Sequence, residues 1–329
     1  MRFAKTVLSA ATAIVALASA PATAAPVNRD VLHVQVLLDS LGFGPGVLDG
    51  RGGPSLVAAL KGFQESRGLA ITGKPDPATL RALYPYRGKR PTTAVTLTPE
   101  MLSGQFRPLP DDYAEKAKMS WLGYATPMEK LAEMFHTTEA TLIALNSPDT
   151  RIAPGVRIVV PNALPASRAY PQAMPADWHR TLGMLNVDAR SPHGQSIEVD
   201  KSDGVLRVLD GQGRLVAQFT ATMGSSHDPL PLGEWKIYGA DYNPQFKYNP
   251  KLFWDADRSD KAQMLPPGPN GPVGVVWMDL SKEHYGIHGT PSPETIGRAE
   301  SHGCIRLTNW DAARLTLMVP KGAKAVFKA

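Results

Sequence analysis

The chain has 329 residues, of which 43% are hydrophobic and 20% charged, and its formal net charge is +5. This composition argues against disorder and coiled coil, and the length allows two or three compact units. The mild positive charge suits an anionic polymer such as cell wall. Nucleic acid is not expected as a partner, because no dense stripe of Lys and Arg accompanies the charge.

The first 24 residues predict a secretory signal peptide. Arg2 and Lys5 form a short positive region, an apolar run follows over residues 6–20, and Ala22-Thr23-Ala24 has the pattern of a cleavage site. An uncleaved anchor is the alternative, but the apolar run is short for a bilayer span, which needs about 20 residues. We therefore expect residues 1–24 to be removed, no membrane span after cleavage, and a location in the periplasm or cell wall.

Residues 28–85 predict a small domain of three helices. Apolar residues from Val31 to Leu41 and from Leu56 to Phe63 recur at helical spacing. Asp76-Pro77 provides an N-cap followed by proline at the first position of a third helix. The three helices are expected to pack around one apolar centre.

The same segment resembles the peptidoglycan-binding-domain-1 family. The resemblance rests on short motifs spread over nearly the whole unit, including Leu41-Gly42-Phe43, Leu48-Asp49-Gly50, Phe63-Gln64 and Thr72-Gly73. It implies that the domain binds the glycan or stem peptides of peptidoglycan. A packing or spacer module is the alternative.

Residues 86–112 mix Pro, Thr, Arg and Gly and predict a linker. In the next unit, residues 113–162, Thr126-Pro127-Met128-Glu129 is a capping box, and a second helix ends at Leu145-Asn146 before a terminal strand. The unit resembles a LysM module, which implies a βααβ fold and binding to N-acetylglucosamine polymers. Ala125-Thr126-Pro127-Met128 replaces that family's opening Gly-Asp-Thr-Leu, so a spacer without sugar binding stays open.

A second linker is predicted over residues 163–192. The sequence pattern of residues 193–329 predicts a mostly β domain. Val205, Leu206 and Val208 precede Asp210-Gly211, a hairpin signal. We expect a sandwich or open barrel, which makes the whole chain a multidomain α+β protein. An insert at residues 241–272 is rich in aromatic residues. It is either a lobe that covers substrate or a loop packed on the barrel.

The chemistry centres on Cys304, the only cysteine in the chain. It lies two residues after His302 and sixteen after His288, and an imidazole within hydrogen-bond reach can take a thiol proton and return it. Gly303 can adopt a backbone conformation closed to other residues, which suits a turn whose N–H groups face an oxyanion. His227 is a further histidine that could approach this cleft. A buried, inert thiol is the alternative.

Zinc is a second alternative, with His284, His288, His302 and Cys304 as ligands. Gly286 makes a helix over this stretch improbable, so the i, i+4 spacing does not place both histidines on one face. No metal and no cofactor are expected.

His288-Gly289-Thr290, followed by the run from Ser301 to Leu307, resembles the signature of the L,D-transpeptidase family. The resemblance covers roughly residues 195–329. It implies that Cys304 is the nucleophile, that His288 accepts and donates the proton, and that His302 and Gly303 shape the oxyanion pocket. Ser301 would fix the loop. The residues implied in substrate binding are Tyr285, Gly289, Thr290 and Arg306, although a structural ion pair is an open alternative for Arg306.

The family implies a 3–3 crosslink between meso-diaminopimelate residues of two tetrapeptide stems. Three alternatives stay open from the sequence: an L,D-carboxypeptidase, an enzyme that attaches a protein to peptidoglycan, and a non-catalytic wall-binding protein. The partner in every case is peptidoglycan.

Overall fold

The computed structural model describes residues 26–254, 256–257, 259–298 and 303–329. The predicted signal peptide, residues 1–24, lies outside the described residues. Within those ranges, no helix has both the length and the apolar character needed to cross a membrane.

The chain combines helices with one large mixed sheet and two small sheets, which agrees with a multidomain protein of mixed class. The helices of the described residues are α1 Arg29–Ser40, α2 Pro54–Ser66, α3 Pro77–Leu83, α4 Tyr113–Ala117, α5 Pro127–Met134, α6 Glu139–Leu145, α7 Ala176–Met184 and α8 Asn309–Met318. Their strands are β1 Phe43–Gly44, β2 Thr92–Thr96, β3 Arg157–Pro161, β4 Ser196–Asp200, β5 Val205–Leu209, β6 Leu215–Thr220, β7 Thr222–Met223, β8 Gly233–Tyr242, β9 Phe246–Tyr248, β10 Gln263–Leu265, β11 Val276–Leu280, β12 Gly286–His288, β13 Ile305–Arg306 and β14 Lys324–Lys328.

The three helices expected near the N-terminus are present. The side chain of Asn28 accepts hydrogen bonds from two N–H groups at the start of α1, and Asp76 caps α3 ahead of the proline at its first position. Phe63 on α2 packs edge-on against Phe43, and both rings are buried. Capping and periodic apolar positions therefore account for this domain.

Both predicted linkers contain regular structure. In the first, residues 92–96 form β2, which pairs antiparallel with β3, so the small unit closes on a strand that precedes its expected start at 113. In the second, α7 buries Trp178 and Leu182 in the main core. The Pro, Thr and Ala content of these two segments is typical of linkers. The strand and the helix form nevertheless, because partners that are distant in sequence stabilise them.

The ten-stranded sheet has the order β1-β6-β5-β4-β14-β8-β11-β12-β13-β7. Only Ala221 separates β6 from β7, yet these strands lie near opposite ends of that order. The sheet must therefore curl so that its ends approach each other. Inside the curl, α8 is almost completely buried, with Trp310 at its start.

The N-terminal domain is joined to the large sheet by backbone and side-chain contacts. β1 pairs parallel with β6 and so forms one edge of that sheet. Beside it, the Arg314 guanidinium on α8 contacts Asp39 on α1 at 3.1 Å, and both residues are buried. His136, which follows α5, contacts the same Asp39 carboxylate at 3.1 Å, so three units meet at one carboxylate.

Candidate active site

A cavity of about 930 Å³ opens between the ends of β12 and β13 and the hairpin of β9 and β10. We call it the cleft. Of the residues singled out from the sequence, Cys304, His288, Tyr285 and Arg306 all line it. The fold therefore brings together four side chains that the sequence separates by up to 21 positions.

Strand register places the thiol of Cys304. β12 and β13 are parallel, with Ile287 opposite Ile305, so Cys304 lies beside Gly286. The Gly286 N–H donates a hydrogen bond to the sulfur, and the thiol donates to the His284 carbonyl oxygen at 3.8 Å. His284 has a φ of 66°, a left-handed conformation that L residues other than glycine seldom adopt.

The half-buried thiol is protonated at neutral pH. Burial raises the pKa of Cys304 above its ordinary value, and this effect exceeds the opposing effects of the Gly286 hydrogen bond and the Arg306 charge. The Asp228 carboxylate raises the pKa further. The resting side chain is therefore a thiol rather than a thiolate.

His288 is the buried imidazole of the cleft, and its tautomer is fixed by one hydrogen bond. Nδ1 lies 2.7 Å from the Gly289 carbonyl oxygen, which can only accept, so Nδ1 carries the proton and Nε2 is the free base. Burial, followed by the Arg306 charge, lowers the pKa of His288 to about 4. The imidazole is neutral at physiological pH and ready to accept a proton.

Trp277 on β11 holds this imidazole in place. Trp277 and His288 are direct partners in the antiparallel pair of β11 and β12, and their rings stack with centroids 5.4 Å apart. A Cβ at Gly286 would meet the same indole at 2.4 Å, so glycine allows the ring to lie across β12. Trp277 is not recognisable from the sequence, because only strand pairing brings it to His288.

Gly303 has the conformation expected of it. Its φ is 88°, and a Cβ there would lie 2.6 Å from the Tyr285 ring. Both the backbone and the close approach of Tyr285 therefore require glycine. Ser301 and His302, which the family signature assigns to this loop, lie outside the described residues.

Gly289 and Thr290, which the family resemblance implies in substrate binding, are not among the residues that line the cleft. A Cβ at Gly289 would lie 2.0 Å from Asn309 Oδ1, so this glycine packs tightly against the start of α8. Thr290 is buried, and its hydroxyl accepts the Ser292 N–H at 3.2 Å. Gly289 contacts the imidazole through its carbonyl oxygen, which lies 2.7 Å from His288 Nδ1.

The residues of the zinc alternative are not arranged as a ligand set. The His284 imidazole lies 3.5 Å from Glu283, and it is the His284 carbonyl that contacts the sulfur. In the described part of the chain, no three His, Cys, Asp or Glu side chains are placed to hold a metal ion. His302, the remaining member of that set, lies outside it.

The insert at residues 241–272 forms one wall of the cleft. Phe246, Tyr248 and Phe253 line the cavity together with Tyr113 of α4, whose ring lies against that of Tyr248 with centroids 4.0 Å apart. The insert thus both faces the cleft and packs against the chain ahead of α5. Trp254 of the insert stacks on His227. His227 does not line the cleft, whereas the neighbouring Asp228 does.

Comparison with known proteins gives two domain matches. The sequence profile of the L,D-transpeptidase catalytic domain matches residues 194–327, and that of a peptidoglycan-binding domain matches residues 28–83. The resemblances to the L,D-transpeptidase and peptidoglycan-binding families are therefore confirmed, whereas the LysM resemblance of residues 113–162 stays a prediction.

Individual relatives bear the same family name. The protein named L,D-transpeptidase YkuD in Bacillus licheniformis is 53% identical over 199 residues, which cover 60% of this chain and 90% of the relative. The protein of that name in Bacillus subtilis is 54% identical over 56 residues, 17% of this chain and 34% of the relative. A solved L,D-transpeptidase from Mycobacterium smegmatis aligns at 22% identity and a TM-score of 0.33, over 40% of this chain and 58% of its own. The aligned region thus covers only part of the length of the Bacillus subtilis protein and of the Mycobacterium smegmatis protein.

Proposed function

This chain belongs to the L,D-transpeptidase family, and we propose that it forms 3–3 crosslinks in peptidoglycan through an acyl-enzyme on Cys304. The donor is a tetrapeptide stem, cut between the L centre of meso-diaminopimelate and the terminal D-alanine. The acceptor is the side-chain amine of meso-diaminopimelate in a second stem. The observation that carries the proposal is that the only thiol and a neutral imidazole open into one cleft.

In the first half-reaction, Cys304 Sγ attacks the carbonyl carbon of the scissile bond while its proton passes to His288 Nε2. The negative charge that develops on the carbonyl oxygen is stabilised by backbone N–H groups of the turn at Gly303 and Cys304. As the C–N bond breaks, the imidazolium returns the proton to the departing D-alanine amine. The products are a thioester on Cys304 and free D-alanine.

In the second half-reaction, a neutral amine of the acceptor attacks the thioester carbonyl. Its proton passes to His288 Nε2, the C–S bond breaks, and the leaving thiolate takes the proton back. A base with a pKa of about 4 stays unprotonated in this cycle except while it carries the proton taken from the thiol or from the acceptor amine. The Nδ1 hydrogen bond to Gly289 supports the transient imidazolium.

We further propose that both upstream units hold the enzyme on its polymer. The peptidoglycan-binding match supports this role for residues 28–83. For the second unit, support comes from the antiparallel pair of β2 and β3 and from the helices α5 and α6 that precede β3, although the short helix α4 is an addition to the βααβ order of a LysM module. Asn146 joins α6 to β3 by hydrogen bonds to Leu142 and Val159. A polymer substrate outside the cytoplasm is consistent with the export predicted from residues 1–24.

Mass analysis of muropeptides tests the proposal. After incubation of purified tetrapeptide muropeptides with the wild-type protein, we expect dimers with a 3–3 crosslink and free D-alanine. Trimmed tripeptides without dimers would favour the carboxypeptidase alternative, since water would then be the acceptor. Sacculi that bind the protein but remain chemically unchanged would favour a non-catalytic wall-binding protein. Cys304→Ala should bind sacculi as the wild type does and leave the muropeptides unchanged.

A further inference from the structure

The loop of residues 224–230 begins directly opposite the nucleophile. In the antiparallel pair of β7 and β13, Met223 faces Ile305 and Thr222 faces Arg306. Continuing this register by one residue places Gly224 across from Cys304. Asp228 on the same loop lines the cleft. Its negative charge contributes to the raised pKa of the Cys304 thiol and to that of the Tyr285 hydroxyl. Its carboxylate is therefore beside the site where a thioester would form.

The loop is built to hold Asp228 in one position. The buried Ser225 hydroxyl accepts the Asp228 N–H at 2.9 Å, and the Ser225 N–H donates to the Asp228 carbonyl at 2.9 Å. Gly224 has a φ of 58°, and a Cβ there would lie 2.5 Å from the Leu230 nitrogen. Outside the turn, His227 stacks on Trp254 at 4.3 Å. The backbone that carries the Asp228 carboxylate is thus fixed in advance of any ligand.

One oxygen of this carboxylate lacks a hydrogen-bond donor. Among the described residues, none donates to Asp228 Oδ2, although the atom itself is shielded from solvent. The other buried carboxylate oxygen in that condition, Asp311 Oδ1, lies 3.7 Å from Arg314 and far from any cleft surface. A buried, unsatisfied carboxylate oxygen is unfavourable, so a cationic donor supplied by a ligand would stabilise it.

The charges of the cleft fit a zwitterionic ligand. Its basic lining residues are Lys247, Lys282 and Arg306, and its acidic lining residues are Asp228, Asp241, Asp257, Asp260 and Glu283. Arg306 and Asp228 act on the Cys304 thiol with opposite signs, which places a cation and an anion around the nucleophile. A ligand centre that carries both a carboxylate and an ammonium matches this pair.

We propose that Asp228 binds the ammonium of the acceptor stem beside the thioester and so makes an amine, rather than water, the acceptor. The inference rests on the proposed function and names the part of the cleft that recognises its second substrate. The bound ammonium releases one proton to solvent before attack, and the resulting amine then attacks as described above. Asp228 therefore acts on the affinity for the acceptor and not on the formation of the thioester.

The test uses Asp228→Asn in the full chain and a tripeptide stem as acceptor. A tripeptide lacks the terminal D-alanine and cannot serve as donor, so donor and acceptor effects are separated. We expect the KM for the tripeptide to rise about tenfold at neutral pH, because a charge-assisted hydrogen bond is lost. With a tetrapeptide donor whose side-chain amine is acetylated, so that it cannot act as acceptor, the release of D-alanine should change much less than the KM for the tripeptide does. Asp228→Glu should restore part of the affinity.

Two controls make the result specific. Asp149→Asn removes an exposed carboxylate outside the cleft and should leave the KM for the acceptor unchanged. The ratio of KM values between Asp228→Asn and wild type should fall towards one at about pH 10, where the acceptor amine is neutral. A purely structural role for Asp228 would leave that ratio constant with pH.

Three results would overturn the proposal: an unchanged KM for the acceptor, a tenfold loss of D-alanine release without acceptor, or a KM ratio that does not depend on pH. Failure of the proposed function is distinguishable from these, because the wild-type protein would then form no crosslink with any acceptor.

Discussion

At the scale of single residues, the reaction depends on where one proton resides. The Gly289 carbonyl holds the proton of His288 on Nδ1, while burial and Arg306 keep Nε2 unprotonated. Burial also keeps the Cys304 thiol protonated. The resting pair is therefore neutral, and in the mechanism that we propose the imidazole acts as a general base at the moment of attack rather than as the partner of a preformed ion pair.

This neutral pair predicts activity that persists in acid. A base with a pKa of about 4 remains unprotonated as the pH falls through the ordinary histidine value of about 6.5. The rate of D-alanine release should therefore change less than twofold between about pH 7 and about pH 5.5. Arg306→Gln removes a charge that lowers this pKa, so its rate should fall more steeply over the same interval.

Lys282→Gln is the control for that measurement, since Lys282 lines the cleft but is not among the causes of the His288 shift. A wild-type rate that declines with a midpoint near 6.5 would contradict the assignment of a buried, neutral imidazole.

Gly303 gives a second prediction, because the protein contains a matched control. Gly303 and Gly322 have φ values of 88° and 87°, but only at Gly303 would a Cβ meet a neighbour, the Tyr285 ring at 2.6 Å. Alanine at either position costs roughly 1–2 kcal/mol of backbone strain. Gly303→Ala should in addition displace the loop and reduce the acylation of Cys304 at least a hundredfold.

Gly322→Ala should keep wild-type acylation. The measurement is the rate of D-alanine release together with thermal unfolding of both variants. Equal activity in the two variants would show that the turn at Gly303 does not position the nucleophile.

The sequence was sufficient to single out Cys304, His288 and Gly303 as candidates, since they lie in two short motifs whose residue types have their own chemical logic. It was insufficient for Trp277, Asp228 and the carbonyl of His284. Trp277 and Asp228 reach the site through the pairing of β11 with β12 and of β7 with β13, and the His284 carbonyl through a turn next to β12. None of these side chains or backbone groups belongs to a local pattern that would distinguish it from an ordinary strand or loop residue.

At the scale of elements, Glu133 links α5 of the second unit to α8. Its two carboxylate oxygens accept hydrogen bonds from Tyr124 at 2.5 Å and from Asn309 at 2.6 Å. Burial raises the pKa of Glu133 to about 7, against an ordinary value of about 4.3. The folded state therefore retains this proton over an interval in which the unfolded state has lost it.

The raised pKa of Glu133 makes the stability of the folded protein depend on pH. Between about pH 4.3 and about pH 7 the folded protein binds more protons than the unfolded chain at this residue, so stability falls as the pH rises. Glu133→Gln removes that dependence. The difference in unfolding free energy between Glu133→Gln and wild type should shift in favour of the variant by roughly 2–3 kcal/mol over this interval.

Urea denaturation of both proteins across this pH range provides the measurement, and other titrating groups cancel in the difference. A difference that stays constant with pH would mean that Glu133 titrates equally in both states.

Some helices and strands could be predicted from neighbouring residues, and others could not. The capped helices α1 and α3 and the hairpin of β5 and β6 were recognisable, because capping residues and turn residues lie next to the periodic positions they serve. β1, β2 and α7 were not recognisable. β1 has two residues and exists through its pairing with β6, and β2 exists through its pairing with β3 more than 60 positions away.

At the scale of the whole molecule, the N-terminal domain and the large sheet share one stabilising centre. Asp39, Arg314 and His136 come from three units and meet in the interior. Removing one partner of a buried ion pair typically costs about 3–5 kcal/mol, because the other charge stays buried. Asp39→Asn should therefore destabilise both the helical domain and the cleft-bearing domain in a single transition.

Glu65→Gln is the matched control for Asp39→Asn. It breaks the ion pair with Arg207 across the same interface, but Glu65 is exposed, so the cost should stay below about 1 kcal/mol. Proteolysis within residues 28–83 and alkylation of Cys304 report unfolding of the two domains separately. Loss of structure in the helical domain alone, with Cys304 still protected, would show that the domains unfold independently.

The central claim is that a stem peptide becomes covalently attached to the sulfur of Cys304. Intact-mass spectrometry after brief mixing with a tetrapeptide stem, without acceptor, measures this directly. We expect the wild-type protein to gain the mass of the tripeptide acyl group as D-alanine appears, His288→Ala to gain it much more slowly, and Cys304→Ala to gain none. Release of D-alanine by Cys304→Ala at the wild-type rate would contradict the account.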